Sequence, residues 1–133
     1  MTSGLDNSFS GVSRDRADFL GGDPMFSGSR SHAQMITQYF DTSKFVPNAI
    51  GTFGNSGKNI LRGPRFFKTD FGVLKDFKPT ERTSLQFRAE FFNLFNNVNF
   101  AAPGNTVTST DSFGVITSAG SPRIAQLALK ALF

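Results

Sequence analysis

Polar and apolar residues alternate strictly over residues 82–91, within the stretch TERTSLQFRAEFFNLFNNVN. One set of alternate positions is polar and consists of Arg82, Ser84, Gln86, Arg88 and Glu90. The other set is largely apolar and consists of Thr83, Leu85, Phe87, Ala89 and Phe91. Because successive side chains of a strand point to opposite faces, this pattern predicts a strand with one polar and one apolar face. A helix would scatter the charged residues around its circumference.

Two further segments show the same alternation. In residues 67–77 the mostly apolar face holds Phe67, Thr69, Phe71, Val73 and Phe77, with Lys75 as the exception. At the C-terminus it holds Ala125, Leu127, Leu129, Ala131 and Phe133. Each segment has about ten residues, the length that a tilted strand needs to cross a bilayer, whereas strands of soluble proteins usually have about five or six. The sequence therefore predicts an all-β fold of antiparallel amphipathic strands that form part of a transmembrane-type β-barrel.

The first part of the chain, residues 1–64, is rich in Gly, Ser, Asn and Pro. We predict a loop-rich surface segment with at most one or two short strands, one of them over Leu5–Val12. Residues His32–Phe40 favour one or two helical turns, because their apolar residues lack a clean period. On this interpretation, residues 1–64 are connection rather than core.

Residues 65–133 are expected to hold the barrel strands, at about 67–77, 82–95 and 123–133. The first two are joined by the short turn Lys78–Glu81, in which Pro79 suits a type I turn. A long polar loop, residues 97–122, precedes the last strand and contains a short extended piece at Phe113–Thr117. Short turns on one side and longer loops on the other are typical of outer-membrane barrels.

Composition narrows the choice of protein class. The chain has 133 residues, with 17 Phe, one Tyr and no Trp, and a lipid-facing wall tolerates Phe better than a small closely packed core does. It has no cysteine, which excludes disulfides and thiolate metal sites. The net charge of +4 is spread over a chain with only 18% charged residues, so it is weak evidence for a nucleic-acid or anionic-lipid partner.

No apolar run reaches the roughly 18 residues of a membrane helix. The first residues lack a signal-peptide pattern, which suggests a mature chain, a fragment or another export route.

The stretches RTSLQFRAEFFNLFNNVNF and RIAQLALKALF strongly resemble the last strands of TonB-dependent outer-membrane receptors, most of all the Oar-like, carboxypeptidase-regulatory-domain group. GTFGNSGKNILRGPRFFKTDFGVLKDF is similar to the segment just upstream in those proteins, and SGLDNSFSGVSRDRADFLGGDP resembles an earlier surface stretch. The resemblance implies a large barrel with an internal plug domain and TonB-coupled import, located in the bacterial outer membrane. This chain would supply barrel wall and surface loops without the plug, and so would not transport alone.

The resemblance also implies a direction for each strand face. Facing the lumen we expect the polar residues Asp70, Arg82, Gln86, Arg88 and Glu90. Facing lipid or a partner we expect Phe67, Phe71, Leu85, Phe87 and Phe91. The terminal strand is similar to the signal that the barrel-assembly machinery reads, with Leu127, Leu129, Ala131 and Phe133 as the recognition face. The expected partners are the remaining barrel strands or copies of this chain, outer-membrane lipid and that machinery.

Two other functions stay open. A truncated barrel module could pair its edges with identical copies, giving a ring or filament that would be extracellular. A sheet with interleaved Phe, Lys and Arg could bind single-stranded nucleic acid, although the Phe side chains share faces with Leu and Ala rather than with basic residues. We expect no nucleic-acid partner.

Enzymatic chemistry is not expected, nor is a cofactor or metal site. The single histidine, His32, lies in a polar stretch without a nearby carboxylate pattern. The loop Gly51–Asn59 has the wrong spacing for a phosphate-binding loop. Three carboxylates, Asp15, Asp18 and Asp23, lack the spacing of a calcium loop and read as a solvated acidic patch.

Overall fold

The computed structural model describes residues Met1–Phe133 and confirms the predicted all-β, antiparallel class. In chain order the elements are β1 (Asp18–Phe19), α1 (His32–Thr37), a 3₁₀ turn (Thr42–Lys44), β2 (Phe45–Val46), β3 (Phe71–Phe77), β4 (Ser84–Phe92) and β5 (Ile124–Leu132). None of the helices is long and apolar enough to cross a membrane. The chain forms two units, a loop unit of residues 1–64 and 101–118, and a sheet unit of residues 65–100 and 119–133.

The loop unit has a core of its own, so the prediction that residues 1–64 are mere connection is wrong. Phe40 and Phe45 are buried, and their ring centroids lie 5.8 Å apart with the edge of one ring against the face of the other. Phe113 completes the cluster at 5.4 Å from Phe40 and 6.3 Å from Phe45. Burial of aromatic rings in such edge-to-face arrangements stabilises folded proteins. Because Phe113 lies far along the chain from the other two, no local pattern announces this cluster.

Local structure in the loop unit differs from two further predictions. Leu5–Val12 is a turn rather than a strand, because the Asp6 carboxylate accepts the backbone N–H groups of Ser10 (3.0 Å) and Gly11 (2.9 Å). Phe113–Thr117 forms no strand, and its contact with residue 104 is an isolated bridge. Helix α1 does lie inside the predicted range, where Ser31 and Gln34 form a capping box that favours helix initiation.

A buried carboxylate, Asp15, organises the start of the loop unit. Its side chain accepts hydrogen bonds from the backbone N–H of Ser8 (2.7 Å), the Ser8 hydroxyl (2.7 Å) and Asn48 Nδ2 (3.1 Å). Burial raises the pKa of the Asp15 carboxyl, but the hydrogen bonds from Ser8 and Asn48 outweigh it and hold the pKa below the usual 3.8.

This pKa shift predicts acid sensitivity. A carboxyl whose pKa is lowered by folding stabilises the folded state above its unfolded pKa, and that stability is lost as the pH falls below 3.8 through the folded value. We expect Asp15→Asn to lower the melting temperature at pH 7. The melting temperature of this variant should also fall less between pH 5 and pH 2 than that of the parent, as measured by circular dichroism on the full-length protein in detergent. The exposed Asp111, replaced by Asn, is the control. If the melting temperatures of the two variants changed with pH in the same way, the prediction would be contradicted.

The sheet unit is a meander in the order β3-β4-β5 with both pairs antiparallel. The register runs from Phe71↔Phe91 to Phe77↔Leu85 in the first pair and from Ser84↔Leu132 to Phe92↔Ile124 in the second. Every residue of β3 and β5 is exposed, and Ala89 of β4 is the one buried apolar residue in the sheet. This sheet therefore has no protein layer on either face.

The strands are shorter than the sequence predicted. The predicted strand 67–77 begins at Phe71, 82–95 becomes Ser84–Phe92, and 123–133 becomes Ile124–Leu132. The second strand ends early because Asn93 and Asn96 take left-handed φ values of 52°, which strand geometry does not allow. Residues 101–118 belong to the loop unit, although they lie between two strands of the sheet unit.

Candidate functional site

The two faces of the three-stranded sheet form the candidate functional surface. Phe71, Leu85, Phe87 and Phe91 lie on one face, together with Leu127 and Leu129, because the register places them at paired or alternate positions. Leu127 is 71% exposed and Leu129 is 66% exposed. Lys75 interrupts this apolar face, with its ammonium 5.8 Å from the centre of the Phe77 ring. So much exposed apolar surface on one face indicates a surface that contacts lipid or another protein.

The opposite face carries the polar groups Gln86, Arg88 and Glu90. Gln86 donates to Asp76 across the β3–β4 pair at 2.9 Å, and Arg88 lies 3.9 Å from Glu90 on the same strand. On β5 the register places Lys130 opposite Gln86 and Gln126 opposite Glu90. These side chains form a ladder of hydrogen-bonding and charged groups, which we call the polar ladder. The same face also carries apolar residues, mostly towards the strand ends: Leu74, Phe92, Ile124 and Leu132.

Three of the predicted face residues lie outside the strands. Phe67 precedes β3. Its backbone N–H donates to Asn99 Oδ1 at 2.7 Å, and its carbonyl oxygen accepts from Asn99 Nδ2 at 3.0 Å. Asp70 also precedes β3, and Arg82 lies in the bend before β4. None of the three therefore occupies a rung of the sheet.

Asp70 has a local structural role. Its carboxylate accepts the backbone N–H of Asn93 at 2.9 Å and the ammonium of Lys68 at 2.9 Å. The hydrogen bond from Asn93, followed by that from Lys68, lowers the pKa of the Asp70 carboxyl. Asp70 thus joins the start of β3 to the end of β4.

An asparagine cluster at the same end of the sheet was not predicted. Asn93 is 1% exposed; its side chain donates to the carbonyls of Asn97 (3.0 Å) and Ser121 (3.2 Å) and accepts the N–H of Asn97 at 3.0 Å. Asn96 accepts the N–H of Arg123 at 3.0 Å, next to the start of β5. The sequence signal was the run NLFNNVN after β4, since Asn tolerates left-handed φ and bonds to nearby backbone.

The terminal residues lie on β5 and just beyond it. Leu127, Leu129 and Ala131 share the apolar face, and β5 ends at Leu132. Phe133 follows the strand and is fully exposed. Only one edge of β5 is paired, with β4, so its other edge is free to accept a strand.

Residues weighed for catalysis and metal binding do not converge. His32 begins α1 in the loop unit. Asp15 is buried, whereas Asp18 accepts the backbone N–H of Asn55 and Asp23 that of Met25. The structure contains no group of three or more His, Cys, Asp or Glu side chains that could hold a metal ion.

An antiparallel sheet that is exposed on both faces, largely apolar on one and carrying the polar ladder on the other, is typical of a barrel wall. The model of the family "Outer membrane beta barrel domain" matches residues 1–126, and the chain belongs to that family. Comparisons with curated proteins and with solved structures found no match. The chain is thus an outer-membrane β-barrel protein. This agrees with the transmembrane-type barrel and the outer-membrane location that were predicted from the sequence.

Proposed function

We propose that this chain is the barrel-wall and surface-loop portion of a TonB-dependent outer-membrane transporter. The observation that carries the proposal is the exposed amphipathic sheet, whose strands β4 and β5 lie within the two stretches that resemble the last strands of such receptors. The loop unit, with its own aromatic core, supplies surface loops. Three strands cannot close a barrel, so transport requires further strands and a plug.

On this proposal the apolar face contacts lipid and the polar ladder faces the lumen. Exposed Leu and Phe side chains gain roughly 1.5–3 kcal/mol each when they leave water. The ladder keeps Gln86, Arg88 and Glu90 hydrated or paired, as a water-filled lumen allows. The free edges of β3 and β5 pair with the remaining strands, because unpaired backbone groups in lipid cost several kcal/mol each.

The transport role is tested in the source bacterium on the complete gene product. We expect the protein in the outer-membrane fraction, with faster migration on an unheated than on a heated denaturing gel, and a chemical crosslink to TonB in energised cells. A heat-modifiable outer-membrane protein that never crosslinks to TonB would reject the transporter role and leave the barrel assignment intact.

We also propose that β5 carries the assembly signal. Its free edge can add to a sheet of the barrel-assembly machinery, with Leu127, Leu129, Ala131 and Phe133 as the recognition face. Phe133→Ala is expected to lower the amount of folded protein in the outer membrane of cells. The same variant should refold into lipid vesicles as well as the parent, because that reaction lacks the machinery. Lys130→Ala, on the opposite face of β5, is the control. Equal amounts of folded protein in the outer membrane for the parent and both variants would contradict the proposed assembly signal.

A second candidate is self-association, which the two free edges of the sheet favour. In that case copies of the chain pair β3 with β5 and form a ring or filament outside the cell. Light scattering of the detergent-solubilised chain distinguishes the two, since a monomeric folded species contradicts self-association.

Catalysis and nucleic-acid binding are not part of the proposal. Lys75 is the one cation on the face of Phe71, Phe87 and Phe91, whereas Arg88 and Lys130 lie on the opposite face. Bases stacked on the rings would therefore leave most of their phosphates without a cation. The expected result is no retention of the protein on single-stranded DNA at low salt.

A further inference from the structure

The positive charge of the chain is concentrated in the sheet unit. This unit contains eight Lys and Arg residues against four Asp and Glu residues, whereas the loop unit contains six of each kind. The whole net charge of +4 therefore belongs to the unit that carries the amphipathic sheet. Two of its arginines, Arg65 and Arg123, precede strands of that sheet.

These two arginines lie at the same end of the sheet. Strands β3 and β5 run in the same direction, because each of them pairs antiparallel with β4. Residues that precede β3 and residues that precede β5 are therefore at one end. Arg65 belongs to the segment before β3, and Arg123 is the residue immediately before β5. We call residues 65–70, 93–99 and 119–123 at this end the rim.

Asparagine side chains fix the backbone of the rim near both arginines. Asn99 bonds to the backbone N–H and the carbonyl oxygen of Phe67, at 2.7 Å and 3.0 Å. Asn96 accepts the backbone N–H of Arg123 at 3.0 Å. Asparagine side chains bond readily to backbone groups in this way. Both arginines therefore extend from backbone that is tied to one asparagine-rich segment.

The guanidinium groups of the rim are available to an anion. Arg65 and Arg123 are exposed, and neither takes part in an ion pair. The carbon of the Arg65 guanidinium lies 5.7 Å from the centre of the Phe67 ring. The one carboxylate of the rim, Asp70, is paired with Lys68 at 2.9 Å. The rim therefore has two guanidinium groups whose charge no carboxylate of the sheet unit offsets by direct contact.

Exposed aromatic rings accompany these arginines. Phe66 is 71% exposed and Phe95 is 64% exposed. Aromatic residues at the edge of the apolar band are typical of outer-membrane barrels, and arginine side chains there extend to the lipid headgroups. The opposite end of the sheet has the short connection of residues 78–83, whereas the rim holds the long connection of residues 93–123. Because long loops lie on the outer side of such barrels, the rim is at the level of the outer leaflet.

We propose that the rim binds the phosphate groups of outer-leaflet lipids through Arg65 and Arg123. Each guanidinium binds a phosphate through paired N–H donors, and the rings of Phe66 and Phe95 contact the apolar part of the lipid next to its headgroup. The rings favour a lipid over a free phosphate ion, which would gain nothing from them. This inference rests on the proposed orientation of the sheet in the membrane and is independent of coupling to TonB.

The test uses lipid A as the probe and dephosphorylated lipid A as the comparison ligand. Native mass spectrometry of the complete gene product in non-ionic detergent gives the fraction of protein with bound lipid at each lipid concentration. Lipid A should bind tighter than the dephosphorylated form by about tenfold or more. Arg65→Gln and Arg123→Gln should each weaken lipid A binding about fivefold, because each cation near an anionic lipid surface contributes about that factor.

Arg88→Gln is the matched control, because Arg88 belongs to the polar ladder on the other face and lies 3.9 Å from Glu90. It makes the same change in net charge and should leave lipid A binding within about twofold. Heat-modifiable migration of each variant distinguishes weak binding from failure to form a barrel. Equal binding of the two lipids, or equal effects of the control and the rim variants, would overturn the proposal. Either result in folded protein would leave the barrel-wall and transporter roles intact.

Discussion

Leu127→Arg is expected to destabilise the membrane-inserted barrel by about 2–4 kcal/mol, the cost of an arginine on the lipid face near the bilayer midplane. Leu127 lies near the middle of β5 and is 71% exposed in the chain by itself. Its side chain shares the apolar face with Leu129, so lipid is the solvent that it would meet. Urea titration of the complete gene product refolded in lipid vesicles gives this free-energy difference directly.

Gln126→Arg is the matched control for this substitution. Gln126 precedes Leu127 on β5, lies on the opposite face and is paired with Glu90. An arginine there remains in the polar ladder and can pair with that carboxylate, so we expect a change within about 0.5 kcal/mol. Because vesicle refolding lacks the assembly machinery, the result is independent of the assembly signal. Equal free-energy changes for the two variants would contradict the assignment of lipid to the apolar face.

Asn93→Ala has the second large expected effect, a loss of about 4 kcal/mol in the free energy of unfolding. The substitution removes the two hydrogen bonds donated to Asn97 and Ser121 and the one accepted from Asn97, each worth about 1 kcal/mol. It also places alanine at φ 52°, which costs about 1 kcal/mol more than asparagine. The cluster holds the end of β4 against the start of β5, so urea titration should show an earlier unfolding midpoint.

Two companion variants separate these contributions. Asn93→Gly loses the same hydrogen bonds but tolerates positive φ, so it should cost about 1 kcal/mol less than Asn93→Ala. Asn59→Ala places alanine at a similar φ of 56° on an exposed residue, and should cost only about 1 kcal/mol. If Asn93→Ala cost no more than Asn59→Ala, the cluster would have no stabilising role.

Local alternation was enough to predict the sheet. The pattern in residues 82–91 assigned Gln86, Arg88 and Glu90 to one face and Leu85, Phe87 and Phe91 to the other, and the register of β4 has the same division. A two-residue period is a property of the strand itself, because the pleat alternates side chains whatever the strand pairs with. The all-β class and a transmembrane-type barrel sheet could therefore be inferred before the fold was known, while the family rested on the resemblance of two stretches to known receptors.

Features that depend on distant residues could not be predicted. Asn99 bonds to the backbone of Phe67, and Gly54 approaches the backbone of Arg16; neither pairing leaves a period in the sequence. The early end of β4, by contrast, has a local signal in the run NLFNNVN, whose asparagines take left-handed φ in place of an extended strand.

The sequence by itself determined which face of each strand is apolar, since that depends on neighbouring residues alone. Only the tertiary structure decided that residues 101–118 join residues 1–64 and that Phe40, Phe45 and Phe113 share a core. These arrangements depend on which distant segments come into contact. Such contacts are fixed by the packing of the whole unit, which no short window of sequence contains.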